Sequence, residues 1–476
     1  MRLLAVGILA VALIGVLPLL WLSLADDRGV VSILIAAGAV LFGLLSVRSL
    51  MPLALVLVVL TADALGVFGD RGGDVLPYVQ VFGGVRVTLR DGLLILGLPL
   101  ALMQLVRRRE APVYIQPYLA VLGTIAVGFV LGILSDADVK APLNTLRPLF
   151  GYALYLILIA AVDTRGKLLW LLGASFGVAV VAVGIQVVEA GRGGLLPFLA
   201  PPIAAGQAFA GVSVEGRQVP YIWNRAVWQL FLTLLLALGG LLEWRAVRLH
   251  LSLALVCALG FGIMLTRSWY IFIGVGVLAI LFASRAWSQR LRFLAAMAFG
   301  LVTLALLATA ASELTSAHYG GSLADVWLAR VSTLLSVSQD QSFVTRVSEL
   351  GRQWQAVLAA PVLGYGMSAD AQRLSLQVGN LDTGAVNTLL MFGFVGTAAF
   401  VALVCCAAWS SLRLARRLAP SWQRGYAIGL FGLWVGVLVG YAFNYDFLTY
   451  PHGPWLVVLG LTIGDRLERL GYTPVD

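Results

Sequence analysis

Apolar runs of roughly 17 to 24 residues recur from one end of this chain to the other, and that is the length a helix needs to cross a hydrocarbon core of about 30 Å. In lipid only helices and closed barrels satisfy their own backbone, and these runs do not alternate as barrel strands do. They read as membrane helices. The expected spans are approximately Leu3–Leu24, Val30–Val47, Met51–Phe68, Leu93–Val106, Ile115–Leu134, Leu149–Val162, Leu168–Val188, Ala226–Leu242, Leu249–Leu265, Trp269–Ala283, Phe293–Ala311, Val386–Trp409, Ile428–Phe443 and Trp455–Ile463.

A hydrophobic share of 60%, only 12% charged residues and a mean hydropathy of +0.95 exclude a soluble globule, where charged residues run at about 25%. The expected fold class is therefore an all-α polytopic membrane protein of about 14 transmembrane helices. Residues 1–311 carry the first eleven on short loops, 312–385 form one large hydrophilic loop, and 386–476 carry the last three and a short tail. A bundle that exposes one large loop on one face is expected to do its chemistry there.

Charge orients the bundle. With Met1 in the cytoplasm, the loops on that side collect 18 of the 32 basic residues and six of the 23 acidic ones, which gives them +12 and leaves −3 elsewhere. The positive-inside rule then places both termini in the cytoplasm and the large loop outside. The overall +9 is a topology signature and gives no reason to invoke nucleic acid. Leu3 to Ala25 also has the form of a cleaved signal peptide, but a single Arg before a long apolar run, with no soluble mature domain to export, favours a retained helix.

Cys257 and the adjacent Cys405-Cys406 lie within helices and give neither metal spacing nor a plausible disulfide framework. His250, His318 and His452 are too scattered for a metal site, so no metal or cofactor is expected. Between the third and fourth spans, Val79 to Leu89 alternates around Gly83-Gly84 and reads as a small hairpin on the membrane surface. Glu189 to Asn224 is rich in Gly, Pro and Ala and reads as a cover without domain periodicity. In the large loop, Phe343, Val344, Val347, Leu350, Trp354, Val357 and Leu358 share a helical face, which predicts an amphipathic helix resting on the bundle. It ends at Pro361, and Gly364-Tyr365-Gly366 turns the chain.

Arg147, Arg225 and Arg267 run against the positive-inside trend, each at the outer end of a span that descends toward the cytoplasm. Guanidinium groups bind phosphate oxygens bidentately and stay charged when partly desolvated, so three around one outer cavity suit a diphosphate. The alternative is that each caps local carbonyls or pairs with Asp136, Asp138 or Glu215. Asp63 is the one clear acid inside an expected span, toward its outer end.

Further motifs follow in order: Thr266-Arg267-Ser268-Trp269, then Arg346 with Arg352-Gln353-Trp354, then Pro361-Val362-Leu363-Gly364-Tyr365-Gly366, then Asn387-Thr388-Leu389-Leu390 with Gly393-Phe394-Val395-Gly396. Their order and setting resemble the O-antigen ligase and polymerase superfamily of membrane glycosyltransferases, most closely over Arg267 to Val404. The resemblance implies transfer or polymerisation of a glycan from an undecaprenyl-pyrophosphate donor, at the periplasmic face of a bacterial inner membrane, in cell-surface polysaccharide biosynthesis. It implies a glycan or lipid-linked acceptor, contact with membrane lipids and polysaccharide-assembly proteins, and no cofactor. Arg267, Arg225, Arg147 and Arg346 would hold the pyrophosphate, with Asn387 at the catalytic centre.

One position departs from that pattern. Ligases of the superfamily typically carry a histidine immediately before the asparagine of the last motif, where Val386 stands here. A valine neither accepts a proton nor orients a hydroxyl, which leans the resemblance toward the polymerase-like branch. Asp382, four residues earlier, is the candidate substitute base, and its plain alternative is a solvated loop acid or helix cap. Two other classes stay open: a transporter or flippase of a lipid-linked or anionic substrate, and a non-catalytic envelope scaffold. A transporter predicts Gly- or Pro-broken helices in matching halves, a pattern the sequence does not display.

Overall fold

The structure is a computed structural model that describes residues 49–62, 79–81, 85–87, 89–135, 139–192, 212–214, 217–219, 226–243, 246–264, 266–310, 341–368, 384–443 and 452–470. The expected spans Leu3–Leu24 and Val30–Val47, and Asp63, lie outside them. In chain order the described elements begin with α1 (Met51–Ala62), a hairpin of β1 (Val79–Val81) and β2 (Val85–Val87), α2 (Leu89–Arg108) and α3 (Ile115–Ser135). Next come α4 (Lys140–Leu149), which runs through a 3-10 turn (Phe150–Ala153) into α5 (Leu154–Ala161), then α6 (Arg165–Arg192) and a hairpin of β3 (Val212–Val214) and β4 (Arg217–Val219). The rest is helical: α7 (Val227–Leu242), α8 (Val247–Met264), α9 (Arg267–Ala283), α10 (Trp287–Ala310), α11 (Gln341–Ala359), α12 (Gly384–Arg417), α13 (Trp422–Phe443) and α14 (Gly453–Leu470).

Among the described residues six stretches are long and apolar enough to cross a membrane: Ile115–Ser135, Ala141–Ala161, Arg165–Ala190, Val247–Met264, Gly384–Arg417 and Trp422–Ala442. Three shorter helices, Met51–Thr61, Val227–Leu242 and Ser268–Ala283, are also apolar. The outside of the bundle is as apolar as its inside. Val130, Leu278, Phe282 and Leu306 are 53–68% exposed, which a water-soluble bundle would not tolerate over so wide a surface. This is a helical membrane-embedded protein. Several helices extend past their expected apolar spans because their ends run on through polar residues, as α2 does through Arg107-Arg108 and α12 through Arg416-Arg417.

The core forms around α13, which packs against α7, α9 and α12. Gly425 and Gly429, one turn apart, make this possible. A Cβ on Gly429 would lie 2.5 Å from Leu235 O, and one on Gly239 would lie 2.2 Å from Gly425 O. Such close backbone approach is how membrane helices associate where no hydrophobic effect drives them together.

One end of the bundle is basic, and several of its charges are paired. Arg466, 2% exposed, donates to Glu110 at 2.6 Å and to Ile159 O at 2.6 Å. Arg469 reaches Glu110 at 3.0 Å and Asp465 at 3.2 Å, and Asp465 accepts the Val113 N–H at 2.5 Å. Arg424 pairs with Glu243 at 3.3 Å, Arg165 stacks over Trp422, and His250 meets the Tyr426 hydroxyl at 3.1 Å. In the turn before α6, partial burial works against ionisation of Asp163, yet Lys167 at 2.7 Å and Arg108 at 2.9 Å hold its carboxyl below the usual range. The contacts of Glu110 and Val113 tie the α2–α3 turn to the last helix. They are a lock.

The first hairpin is as the alternation predicts, with Val79 opposite Val87 and Val81 opposite Val85. Within Glu189–Asn224, read as a cover without domain periodicity, α6 runs on to Arg192 and a short second hairpin pairs Val212 with Val219. Asp91, Glu189 and Asp465 lie inside described helices at 4%, 4% and 0% exposure, so buried acids within helices are not confined to the one the sequence singled out.

Candidate functional site

The motifs in the last third of the chain meet at the end opposite the basic lock. Helix α12 is two helices in line, broken at Gly393, whose φ of 61° and ψ of −165° are non-helical. A break orphans the last carbonyls of the first half and the first amides of the second, and each orphan in an apolar interior costs several kcal/mol. Residues 361–367 supply the missing partners. Tyr365 N–H donates to Leu390 O at 2.8 Å and Gly366 N–H to Met391 O at 3.0 Å, while Pro361 O and Val362 O accept from Phe394 N–H and Val395 N–H at 2.8 and 3.2 Å. Met367 N–H then reaches Gly128 O of α3 at 2.9 Å.

Glycine is required on both sides of this ladder. Gly364 and Gly366 have φ of 69° and 70°, and a Cβ there would lie 2.5 Å from Leu390 O and 2.8 Å from Gly128 O respectively. The segment Pro361–Gly366 and the segment Leu390–Gly396 are thus two halves of one backbone device, which gives a physical reason for both motifs. The sequence does not announce the break, because a glycine in an apolar run carries no local mark of it. A matching break in another half is not found among the described residues.

Helix α11 clamps the device. Val357 packs with Val386, Leu389 and Leu390 of α12, and Tyr365 donates its hydroxyl to Ala356 O at 3.0 Å. The predicted helix is present, but its apolar stripe divides. Val357 points inward, whereas Leu350, Trp354 and Leu358 are 44–54% exposed and continue the outward apolar surface of Val362, Leu363, Phe394 and Val395. Lipid on the far side gives those side chains an apolar environment without the bundle.

The predicted site residues divide as follows. Val386 is buried against Val357 and Asn387 beside it is half-buried. Asp382 and Arg225 lie outside the described residues, and of Arg267 and Arg346 only the backbone is described. Arg267 opens α9, whose start is fixed by Trp269, fully buried with its ring 5.2–5.7 Å from those of Trp228, Phe231, Phe261 and Phe272.

Arg147 does not begin a descending helix. It sits in the last turn of α4, which continues through Pro148 because the next four residues tighten into a 3-10 turn. Its described partner is Asp91, at 3.1 Å; Asp136, Asp138 and Glu215 lie outside the described residues. Asp91 also lies 3.5 Å from Arg90, whose guanidinium stacks 5.3 Å over Trp455, and Gly151 leaves room for that indole ring. Arg90 and Asp91 went unread in the sequence, although an adjacent basic and acidic residue opening an apolar run was the available signal.

No group of three or more His, Cys, Asp or Glu stands together among the described residues. Cys257 is buried, and Cys405 and Cys406 are exposed and free. Compared with known proteins, the chain matches no family model and no curated sequence. The resemblance noted above rests on the motif residues themselves.

Proposed function

We propose that this protein is a membrane glycosyltransferase that transfers or polymerises a glycan from an undecaprenyl-pyrophosphate donor at the periplasmic face of a bacterial inner membrane. The observation that carries the reading is the ladder between Pro361–Gly366 and Leu390–Val395. Two motifs that resemble the O-antigen ligase and polymerase superfamily are bound into a single unit, at the membrane end that the charge asymmetry assigns to the outside. In this reading Arg267, Arg225, Arg147 and Arg346 hold the pyrophosphate, whose departure needs only its developing charge stabilised. Asp382 assists the incoming hydroxyl and Asn387 positions it, and partner proteins of polysaccharide assembly supply or remove glycan. The pairing of Arg147 with Asp91 makes it the weakest phosphate ligand of the four.

A second reading, transport of a lipid-linked or anionic substrate, is favoured by the break at Gly393, since broken helices line the sites of many transporters. Analysis of lipid-linked saccharides in a deletion strain separates the two. Single repeat units left on the carrier outside the membrane indicate a polymerase, long chains left there a ligase, and units trapped on the inner leaflet a flippase. Complementation by Arg267→Lys tests the site, because lysine keeps the charge and loses the planar fork. Full restoration by Arg267→Ala at matched expression would remove that arginine from it.

A further inference from the structure

Helices α6 and α7 carry buried polar groups that the fold leaves unanswered. Gln186 is fully buried, and neither its Oε1 nor its Nε2 has a hydrogen-bond partner among the described residues. Gln229 Nε2 and Thr233 Oγ1, in side chains 4% and 0% exposed, are likewise without one. All three lie near one end. Gln186 is six residues before the end of α6, while Gln229 and Thr233 are two and six residues after the start of α7, which at 1.5 Å per residue puts them within about 9 Å of the helix ends. Gly260 of α8 brings the helices together here, for a Cβ on it would lie 2.6 Å from Leu230 and 2.9 Å from Gln186 Oε1.

One turn outward from Gln186 stands the carboxylate of Glu189, 4% exposed. Its neighbour Ala190 packs against Ile263, the penultimate residue of α8, so this turn abuts the connection that leads into Thr266 and Arg267. On the far side of Gln229 is Trp228, stacked edge-on at 5.2 Å with Trp269. Amides that donate and accept, a carboxylate that accepts and indole faces that receive C–H surfaces are the groups that bind a neutral, hydroxyl-rich ring. Glu189 already has a contact of its own within the chain, whereas the open amides of Gln186 and Gln229 and the hydroxyl of Thr233 persist in a membrane interior where a ligand or water meets them.

We propose that Gln186, Glu189, Gln229 and Thr233 form the binding site for the saccharide hydroxyls of the substrate, beside the turn that presents Arg267. This deepens the glycosyl-transfer reading and rests on it. The test uses the full chain, purified in mild detergent from its own host's membranes, with native mass spectrometry of the saccharide-bearing lipids that travel with it. Gln186→Leu and Glu189→Gln should each lower that occupancy about tenfold or more relative to wild type. The unreactivity of Cys257 reports that the variants remain folded.

Undiminished occupancy in both folded variants overturns the site and leaves the functional reading standing. A wild type that carries no saccharide-bearing lipid overturns the functional reading and the site together. Should either variant fail to fold, Thr233→Cys in a background without native cysteines decides the matter. Reaction with methanethiosulfonate ethylammonium added outside intact cells supports a site open to polar ligands, and the absence of reaction, as expected of a dry helix interface, overturns it.

Discussion

Substituting Gly393 by alanine tests the ladder directly. The residue's φ of 61° and ψ of −165° lie where only glycine is at ease, and an L-residue there costs about 1–3 kcal/mol. Its Cβ would stand 2.3 Å from Val362 O, 2.4 Å from Val362 C and 2.6 Å from Leu363 N, all backbone atoms that no rotamer change can move. Residues 361–367 must therefore withdraw. The four hydrogen bonds across the break, at about 0.5–1.5 kcal/mol each, would weaken or go, so the total destabilisation is about 3–9 kcal/mol. Gly123→Ala is the control, since nothing lies within 4 Å of a Cβ there and alanine favours the helix by about 0.5–1 kcal/mol. Cys257, buried and free, reports unfolding through a thiol-reactive fluorophore once the exposed Cys405 and Cys406 are replaced by serine. The midpoint of Gly393→Ala should fall well below wild type while that of Gly123→Ala holds or rises. A Gly393→Ala midpoint equal to wild type would refute the argument that the break depends on this backbone.

At the basic end, Glu110→Gln leaves the buried Arg466 without its 2.6 Å carboxylate partner; a loss of about 3–5 kcal/mol is expected, measured by the same Cys257 exposure, and an unchanged midpoint would show that Ile159 O and Asp465, 3.7 Å away, suffice. For the topology, single cysteines at Arg352 and Arg109, both exposed, should react with an impermeant maleimide in intact cells at Arg352 only, and the reverse pattern would invert the bundle. If Asp382 carries the proton transfer, Asp382→Asn should lower turnover by about 10² or more with lipid-linked donor still bound, and Val386→His should restore part of it. Full turnover in Asp382→Asn rejects the carboxylate as base.

The helices were legible wherever apolar length alone decides, as at Ile115–Ser135 and Val247–Met264, because lipid offers the backbone no other solution. The hairpin at Val79–Val87 was legible from its alternation. The same signal at Val212–Val219 is diluted by its Gly, Pro and Ala surroundings. What the sequence does not carry is partnership at a distance. Arg147 and Asp91 are 56 residues apart, and the break at Gly393 is stabilised by a loop some thirty residues earlier whose role no local propensity encodes. Glu189 falls just past the last apolar residue of its run, so a reading that stops at Val188 assigns it to a loop, whereas the helix continues and buries it.

The two ends of the bundle answer the same energetic problem differently. Charges withdrawn from water at the basic end meet opposite charges: Arg466 with Glu110, Arg469 with Glu110 and Asp465, Arg424 with Glu243. Those pairs form within the chain, although Asp465 Oδ2 and Arg466 Nε make no hydrogen bond among the described residues. At the opposite end, the described amide of Gln186 and the hydroxyl of Thr233 are buried without partners, while the backbone next to the break is satisfied bond by bond. Four backbone hydrogen bonds bridge the interrupted helix, whereas the buried amide of Gln186 and hydroxyl of Thr233 stay open, and these are the groups that the proposed saccharide site would use. The rigid ladder then holds Val386 and Asn387 in register, and the α6–α8 seam is where specificity for the arriving molecule would be written.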